Sequence, residues 1–332
     1  MDSVRWGLIS TANINRRIIR AIRKSKRGIL EAVASRNQSK ADKYAQKWEI
    51  PRAYGSYQDM INSGKVDAVY ISLPNHLHAE WSIKALQAGL HVLCEKPFAL
   101  TLEEVDLMCR ESHNNHLVLA EAFMYRHHPQ TKIVGEWVRS GKLGKIMMVQ
   151  STFAFPITNK QDIRLVPEYG GGSLWDVGVY PISFAQFIYG GPPKWVFGSQ
   201  MIGNSGVDEV FTGQMYYSSN QNNASSFAQI SSSFRTPFYT RAEVIGTEGR
   251  LSLNRPFVSL EPAGKLIFEP RIGDPELIQV PQKDLYLGQI EDMHKAILDR
   301  EQIYLSLEET RNHIKTVLAL YDSAQKRKII NL

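Results

Sequence analysis

Cysteine is scarce in this sequence: Cys94 and Cys109 are the only two. A disulfide-stapled scaffold and a multi-cysteine metal site are therefore excluded. No uninterrupted apolar run approaches the roughly 20 residues that a membrane-crossing helix needs. The opening residues lack the charged-then-apolar layout of a secretory signal, so a cytoplasmic location is the expectation. A charge excess is nearly missing as well, with 39 Lys and Arg against 33 Asp and Glu. Much of what exists falls in one segment, where Arg16, Arg17, Arg20, Arg23, Lys24, Lys26 and Arg27 accompany Ile14, Ile18, Ile19 and Ile22. That spacing describes a helix with a solvated basic face. Without interleaved aromatics or a recognition motif it does not predict nucleic-acid binding.

What remains is ordinary globular composition, 43% hydrophobic and 22% charged over 332 residues, enough for two domains. Residues 4–121 alternate continuous apolar runs with helical spacing. Runs at 4–9, 29–35, 66–72, 91–94 and 117–121 read as buried strands, and Ser56 and Thr101 stand where helix N-caps belong. Repeated β-α units of this kind predict a doubly wound parallel sheet, a Rossmann-type domain, over residues 1–122. Residues 123–332 read differently. A helix at 129–140 and a long strand at 145–155 precede helical spacing at 173–189. Successive strand-like runs then follow from 195 to about 269, with helices at 287–298 and 307–324. This predicts an α+β domain with a large, open, mostly antiparallel sheet. The Asn/Ser-rich stretch 218–226 reads as a loop between strands.

Four strand ends carry polar chemistry. After the first strand come Ser10, Thr11, Ala12, Asn13 and Ile14, small enough for a backbone to approach a pyrophosphate at a helix N-terminus. The three-glycine fingerprint is absent, with Ser10, Ala12 and Asn15 in its positions. After the second strand stand Ser35 and Arg36, where a cofactor without a 2′-phosphate would meet an acidic residue. An arginine pairs bidentately with phosphate, which favours NADP(H) and leaves NAD(H) possible. Leu73, Asn75 and His78 follow the next strand, and Glu95 and Lys96 the one after. Ligands in open α/β sheets bind beyond such ends, so these residues are expected at the cofactor. His76-x-His78 and His127-His128 have no third ligand at a usable spacing, so no metal is expected.

Glu95-Lys96-Pro97, the loop Gly170-Gly171-Gly172-Ser173-Leu174-Trp175-Asp176-Val177-Gly178-Val179-Tyr180, and the strand ending Gly246-Thr247-Glu248-Gly249 together resemble the glucose–fructose oxidoreductase and inositol dehydrogenase (Gfo/Idh/MocA) family. The resemblance spans nearly the whole chain. It implies a pyridine-nucleotide oxidoreductase acting on sugars, cyclitols or related polyols, with the open sheet used for a homodimer or homotetramer. Lys96 matches the family lysine near the nicotinamide, and Asp176 and Tyr180 match its substrate-side pair. Tyrosine rather than histidine at 180 is similar to the branch holding dimeric dihydrodiol dehydrogenase and D-xylose dehydrogenases. Arg126, in the segment resembling the family's crossing between domains, is expected at cofactor or substrate. Arg164, Tyr169, Phe153 and Phe155 are further candidates for the substrate side.

The residue types suit that chemistry. Asp176 and Tyr180 are four apart and share a helix face. A tyrosine with its ordinary pKa of about 10 is a poor base near neutrality, and a lysine ammonium beside it lowers that value. Tyr180 is thus the expected general acid/base, with Lys96 tuning it. The assignment with Lys96 as proton donor and Tyr180 as positioning residue stays open. Asp176 would accept from a substrate hydroxyl or hold Lys96. The expected activity is NADP(H)-dependent interconversion of CH–OH and C=O on an aldose such as D-xylose or on a trans-dihydrodiol. A ketosugar reductase and an NAD-dependent glycosidase that oxidises its sugar transiently are the alternatives.

Overall fold

The computed structural model describes residues 2–219, 224–258 and 264–332, so positions 220–223 of the Asn/Ser-rich stretch lie outside the described residues. The chain divides into two units, Met1–Met124 with Asp284–Arg311, and Tyr125–Lys283 with Asn312–Leu332.

The first unit begins with β1 (Val4–Ile9), α1 (Asn15–Lys24), β2 (Gly28–Ala34), α2 (Gln38–Trp48), β3 (Arg52–Tyr54) and α3 (Tyr57–Ile61). It continues through β4 (Ala68–Ile71), α4 (His78–Gln87), β5 (His91–Cys94), α5 (Leu102–Asn114) and β6 (Leu119–Glu121). Among the described residues six strands form one sheet in the order β3-β2-β1-β4-β5-β6, every neighbouring pair parallel. The order turns back at β1, and the crevice beyond the ends of β1 and β4 is where such sheets bind ligands. The strands are apolar throughout because helices cover both faces; all four residues of β4 are buried. Helix starts follow their caps. The Ser56 hydroxyl accepts from Asp59 N–H at 3.3 Å, and Thr101 and Glu104 form a reciprocal capping box. Strand β3 is not legible in the sequence, since Arg-Ala-Tyr is too short to show a period.

The rest of the chain forms α6 (Pro129–Arg139), β7 (Ile146–Ala154), a π-helical turn (Leu174–Gly178), α7 (Val179–Tyr189), β8 (Trp195–Ile202), β9 (Asp208–Ser219) and β10 (Ala224–Ser233). There follow β11 (Tyr239–Gly246), β12 (Gly249–Asn254), β13 (Leu266–Pro270), β14 (Glu276–Ile278), α8 (Leu287–Leu298), α9 (Leu307–Lys326) and β15 (Ile330–Asn331). In the second unit nine described strands run β14-β13-β12-β11-β7-β10-β9-β8-β15. Neighbours are antiparallel except β7 and β10, which pair in parallel at the middle. One face is covered by helices. There α9 approaches so closely that a Cβ on Gly198 would lie 2.5 Å from the Leu320 carbonyl oxygen, and Gly198 N–H donates to Ser323 Oγ at 2.9 Å.

The other face of this sheet carries Trp195 stacked on Tyr216 at 5.2 Å between centroids, with Phe227 against both rings. Beside them Gln150 donates to Gln229 across the strands at 2.9 Å. Arg241 and Arg250 flank Glu243 there, and with Ser231 and Thr152 they line a polar cavity of about 460 Å³.

The single boundary near residue 122 needs correction, because residues 284–311 return to the first unit. Polar side chains specify that return. Trp6 Nε1–H donates to His294 Nε2 at 2.9 Å, Lys24 pairs with Asp284 at 2.8 Å, and Arg27 pairs with Asp299 at 2.6 Å. Nothing in the periodicity of α8 announces these partners.

Candidate functional site

The turn after β1 replaces the missing glycines with a network of side chains. Ser10 adopts φ +118°, a conformation usually left to glycine. Its hydroxyl lies 2.8 Å from that of Ser72 and accepts from Ala12 N–H at 3.1 Å. Asn15, fully buried, donates from Nδ2 to the Ser10 carbonyl at 2.8 Å and accepts from the Ser72 hydroxyl at 2.7 Å. Three polar side chains thus hold the turn where close glycine packing would otherwise do so. Helix α1 opens with no side-chain cap and no acidic residue in its first turn, while Thr11, Ala12 and Ile14 are half-buried and Asn13 is exposed. An uncapped helix N-terminus of this kind suits an anion.

At the end of β2, Ser35 is buried and its N–H donates to the Tyr54 carbonyl at 2.9 Å. Arg36 is exposed, with its guanidinium on the Tyr57 hydroxyl. Asn37 caps α2 through Lys40 N–H at 2.9 Å. No carboxylate stands at 35–37.

Beyond β4, Leu73 is buried and Asn75 begins a short 3-10 turn. His78 is 1% exposed, and its ring nitrogens lie 2.8 Å from the carbonyl oxygens of Pro97 and Leu73. It braces the two loops from within the protein. Beyond β5, Glu95 accepts a hydrogen bond from the Tyr70 hydroxyl on Oε1 and from Lys96 N–H on Oε2 at 3.3 Å. Lys96 itself is half-buried. The Cys94 thiol is buried, which pushes its pKa well up, so it is a core residue rather than a reactive one.

In the second unit Asp176 lies on the π-helical turn and Tyr180 in the first turn of α7. Insertions of π-helix recur at functional sites. Arg164 Nε–H donates to Asp176 Oδ2 at 2.8 Å, and Arg164 also pairs with Asp162 at 3.2 Å. The guanidinium lies over the Phe155 ring at 5.8 Å. Tyr180 is buried with its ring against Phe153 at 5.4 Å, Phe257 at 5.6 Å and Tyr125 at 5.9 Å. An ion-paired carboxylate thus stands on the π-helical turn, and a phenol walled by aromatic rings stands on the helix that continues it. Tyr169 is exposed, in the loop before the turn. Arg126 is 3% exposed and stacks at 4.3 Å over Phe187.

One residue that positions the π-helical turn escapes sequence reading. Asp208, at the start of β9 and 3% exposed, accepts on Oδ2 from Ser173 Oγ–H and Leu174 N–H, both at 2.8 Å. On Oδ1 it accepts from Tyr321 O–H at 2.7 Å. It caps the π-helical turn from a strand that the sequence gives no reason to pair with it. Gly172, at φ +125°, leaves it room: a Cβ there would sit 2.1 Å from Asp208 Oδ1.

Among the described residues no three His, Cys, Asp or Glu side chains gather as a metal would require, and no helix is long and apolar enough to cross a membrane.

Comparison with known proteins fits this geometry. Residues 4–123 match the oxidoreductase family with an NAD-binding Rossmann fold, and residues 132–252 match the GFO/IDH/MocA C-terminal domain. D-xylose 1-dehydrogenase (NADP(+)) 2 from Haloferax volcanii is 34% identical over 98% of this chain and 99% of its own. The structure of a 3-ketoreductase from Actinomadura kijaniata in complex with NADP and TDP-benzene superposes with a TM-score of 0.88, at 28% identity over 97% of this chain and 98% of that one. An aldose-aldose oxidoreductase from Caulobacter crescentus shares the fold, with a TM-score of 0.91 at 23% identity over 99% and 100% of the two chains. The chain belongs to the GFO/IDH/MocA oxidoreductase family and is an enzyme of that class.

Proposed function

We propose that this oxidoreductase uses NADP(H) in the cytoplasm to interconvert a hydroxyl and a carbonyl on a sugar or polyol, with an aldose such as D-xylose as the leading substrate. The observation that carries the cofactor choice is Arg36, exposed directly after β2 where no acid stands. Its guanidinium suits the 2′-phosphate, and Ser35 supplies the adjoining turn. The NADP(+) in the name of the Haloferax relative and the NADP bound to the Actinomadura reductase support the same choice. Main-chain N–H groups of residues 10–14 would hold the pyrophosphate at the N-terminus of α1. Asn75, Glu95 and Lys96 would face the ribose and nicotinamide.

When bound, the nicotinamide supplies hydride donation or acceptance. The chain supplies the rest. Tyr180 and Lys96 exchange the proton at the reacting substrate oxygen, and Asp176, oriented by Arg164, accepts from a substrate hydroxyl. The aromatic walls around Tyr180 exclude water and suit the apolar face of a sugar ring. Arg126 supports this surface from the interior. The uncovered face of the nine-stranded sheet would join copies of the chain as a homodimer or homotetramer.

Fluorescence titration of wild type and Arg36→Ala with NADPH and NADH tests the cofactor reading. NADPH should bind wild type more tightly and lose about 10- to 100-fold in the variant, as expected for one charge-assisted pair, with NADH unaffected. Equal or tighter NADH binding by wild type would overturn it. For the chemistry, Tyr180→Phe should lower kcat for D-xylose oxidation by about 10²- to 10⁴-fold with little change in NADPH affinity.

A further inference from the structure

Immediately after Lys96, a single peptide group is gripped at both ends by buried side chains that the proposed chemistry leaves unused. Pro97 has no N–H, so the next main-chain donor after Lys96 belongs to Phe98. That N–H donates to Glu121 Oε1 at 3.1 Å. The carbonyl of the same peptide group, on Pro97, lies 2.8 Å from His78 Nδ1. The other nitrogen of that ring lies 2.8 Å from the Leu73 carbonyl oxygen. Glu121 ends β6, which pairs with β5 so that Glu121 stands opposite Cys94. His78 opens α4. The two side chains are 2% and 1% exposed.

Burying ionisable groups merely to satisfy a peptide is expensive, since water or a neutral side chain would serve at a surface loop. Burial lifts the Glu121 carboxyl to about 8 despite the Thr310 and Phe98 donors that favour its charged form. What the arrangement achieves is orientation. With the neutral ring's single proton on Nδ1 and Phe98 N–H on Glu121, both ends of the Pro97–Phe98 peptide group are held, one residue from the Cα from which Lys96 projects.

We propose that Glu121 and His78 are positioning residues for Lys96, acting through the Pro97–Phe98 peptide group. The inference rests on the assignment of Lys96 to proton exchange. It separates two roles at one strand end: Lys96 meets the reactants, and the pair behind it sets where its ammonium stands. A displacement of about 1 Å costs as much as 100-fold in rate when a reacting group must be aligned.

The test uses the full chain carrying Glu121→Met, which keeps length but offers no comparable acceptor, and Glu121→Gln, which keeps a carbonyl oxygen for Phe98 N–H. His78→Phe, Lys96→Met and the Lys96→Met/Glu121→Met double variant complete the set. Amide hydrogen exchange over residues 95–100 is read without turnover, and kcat and KM for D-xylose with NADP⁺ are read beside the Kd for NADPH. Glu121→Met and His78→Phe should speed exchange in that segment and lower kcat about tenfold or more, with KM and Kd changed less than about threefold. Glu121→Gln should restore both readouts. The double variant should be no slower than Lys96→Met, because a misplaced lysine that is already gone costs nothing further. If Met and Gln at 121 gave the same exchange and the same kcat, or if the two losses in the double variant multiplied, the positioning role would be overturned while the chemistry stood. An undiminished kcat for Lys96→Met would overturn the role of Lys96 itself, and the positioning role with it.

Discussion

His294 shows what one buried side chain costs in acid. Its Nε2 must stay unprotonated to accept from Trp6, and Nδ1 lies 3.0 Å from Ser25 Oγ. Burial, with Arg27 nearby, lowers its pKa from 6.5 to about 4. The unfolded chain therefore binds more protons between those values, so stability rises with pH through that window and is lost as pH falls through it. The full shift corresponds to ~3 kcal/mol. Melting temperature followed from pH 7.5 to 4.5 should drop, and His294→Gln should flatten that drop even if it begins lower. The same scale shows where sequence reading runs short. Missing glycines at Ser10, Ala12 and Asn15 leave a dinucleotide turn in doubt, yet Asn15, Ser10 and Ser72 close it with hydrogen bonds. Ser72 lies 57 positions from Asn15, so local inspection cannot see the exchange. The positions of Arg36 and Lys96, by contrast, are legible, because each stands two residues beyond the end of an apolar strand.

At the level of elements, helical spacing over 173–189 announces a helix but not its first turn. The π-helical turn at Leu174–Gly178 depends on Asp208 and Tyr321, which belong to β9 and α9. Gly172→Ala puts a methyl group against Asp208 and asks alanine for φ +125°. The substitution should cost ~3 kcal/mol or more in a urea titration and lower kcat with it. Asp208→Asn, which keeps oxygen acceptance toward Leu174, should cost less than Asp208→Leu, which strands three buried donors. The capped helices show the opposite case. Ser56 and Thr101 signal their helix starts within four residues, and each does cap.

Across the whole molecule, the architecture of an α/β half and an open-sheet half follows from periodicity, because each depends on patterns repeated over many residues. The passage of the chain between units does not, since it is specified by isolated pairs such as Lys24 with Asp284. The uncovered sheet face belongs to this scale too. Phe197 and Phe227 are each 39% exposed there, beside the Trp195–Tyr216 stack, an apolar area suited to self-association. Sedimentation velocity at micromolar protein should show a dimer or tetramer, and Phe227→Glu should shift it toward monomer.

The route of the backbone also bears on how such proteins can be recombined. Because residues 284–311 return to the first unit and 312–332 to the second, exchanging second units between relatives is not a one-cut operation. A hybrid built by splicing at residue 124 would import a foreign partner for Trp6 with the donor half. One built by exchanging 125–283 alone would keep the host's Tyr321 and Ser323, which hold the donor's Asp208 and Gly198. Grafting a relative's second unit onto this scaffold therefore calls for two transplanted pieces, the long insert and the tail, with the stretch between them left at home.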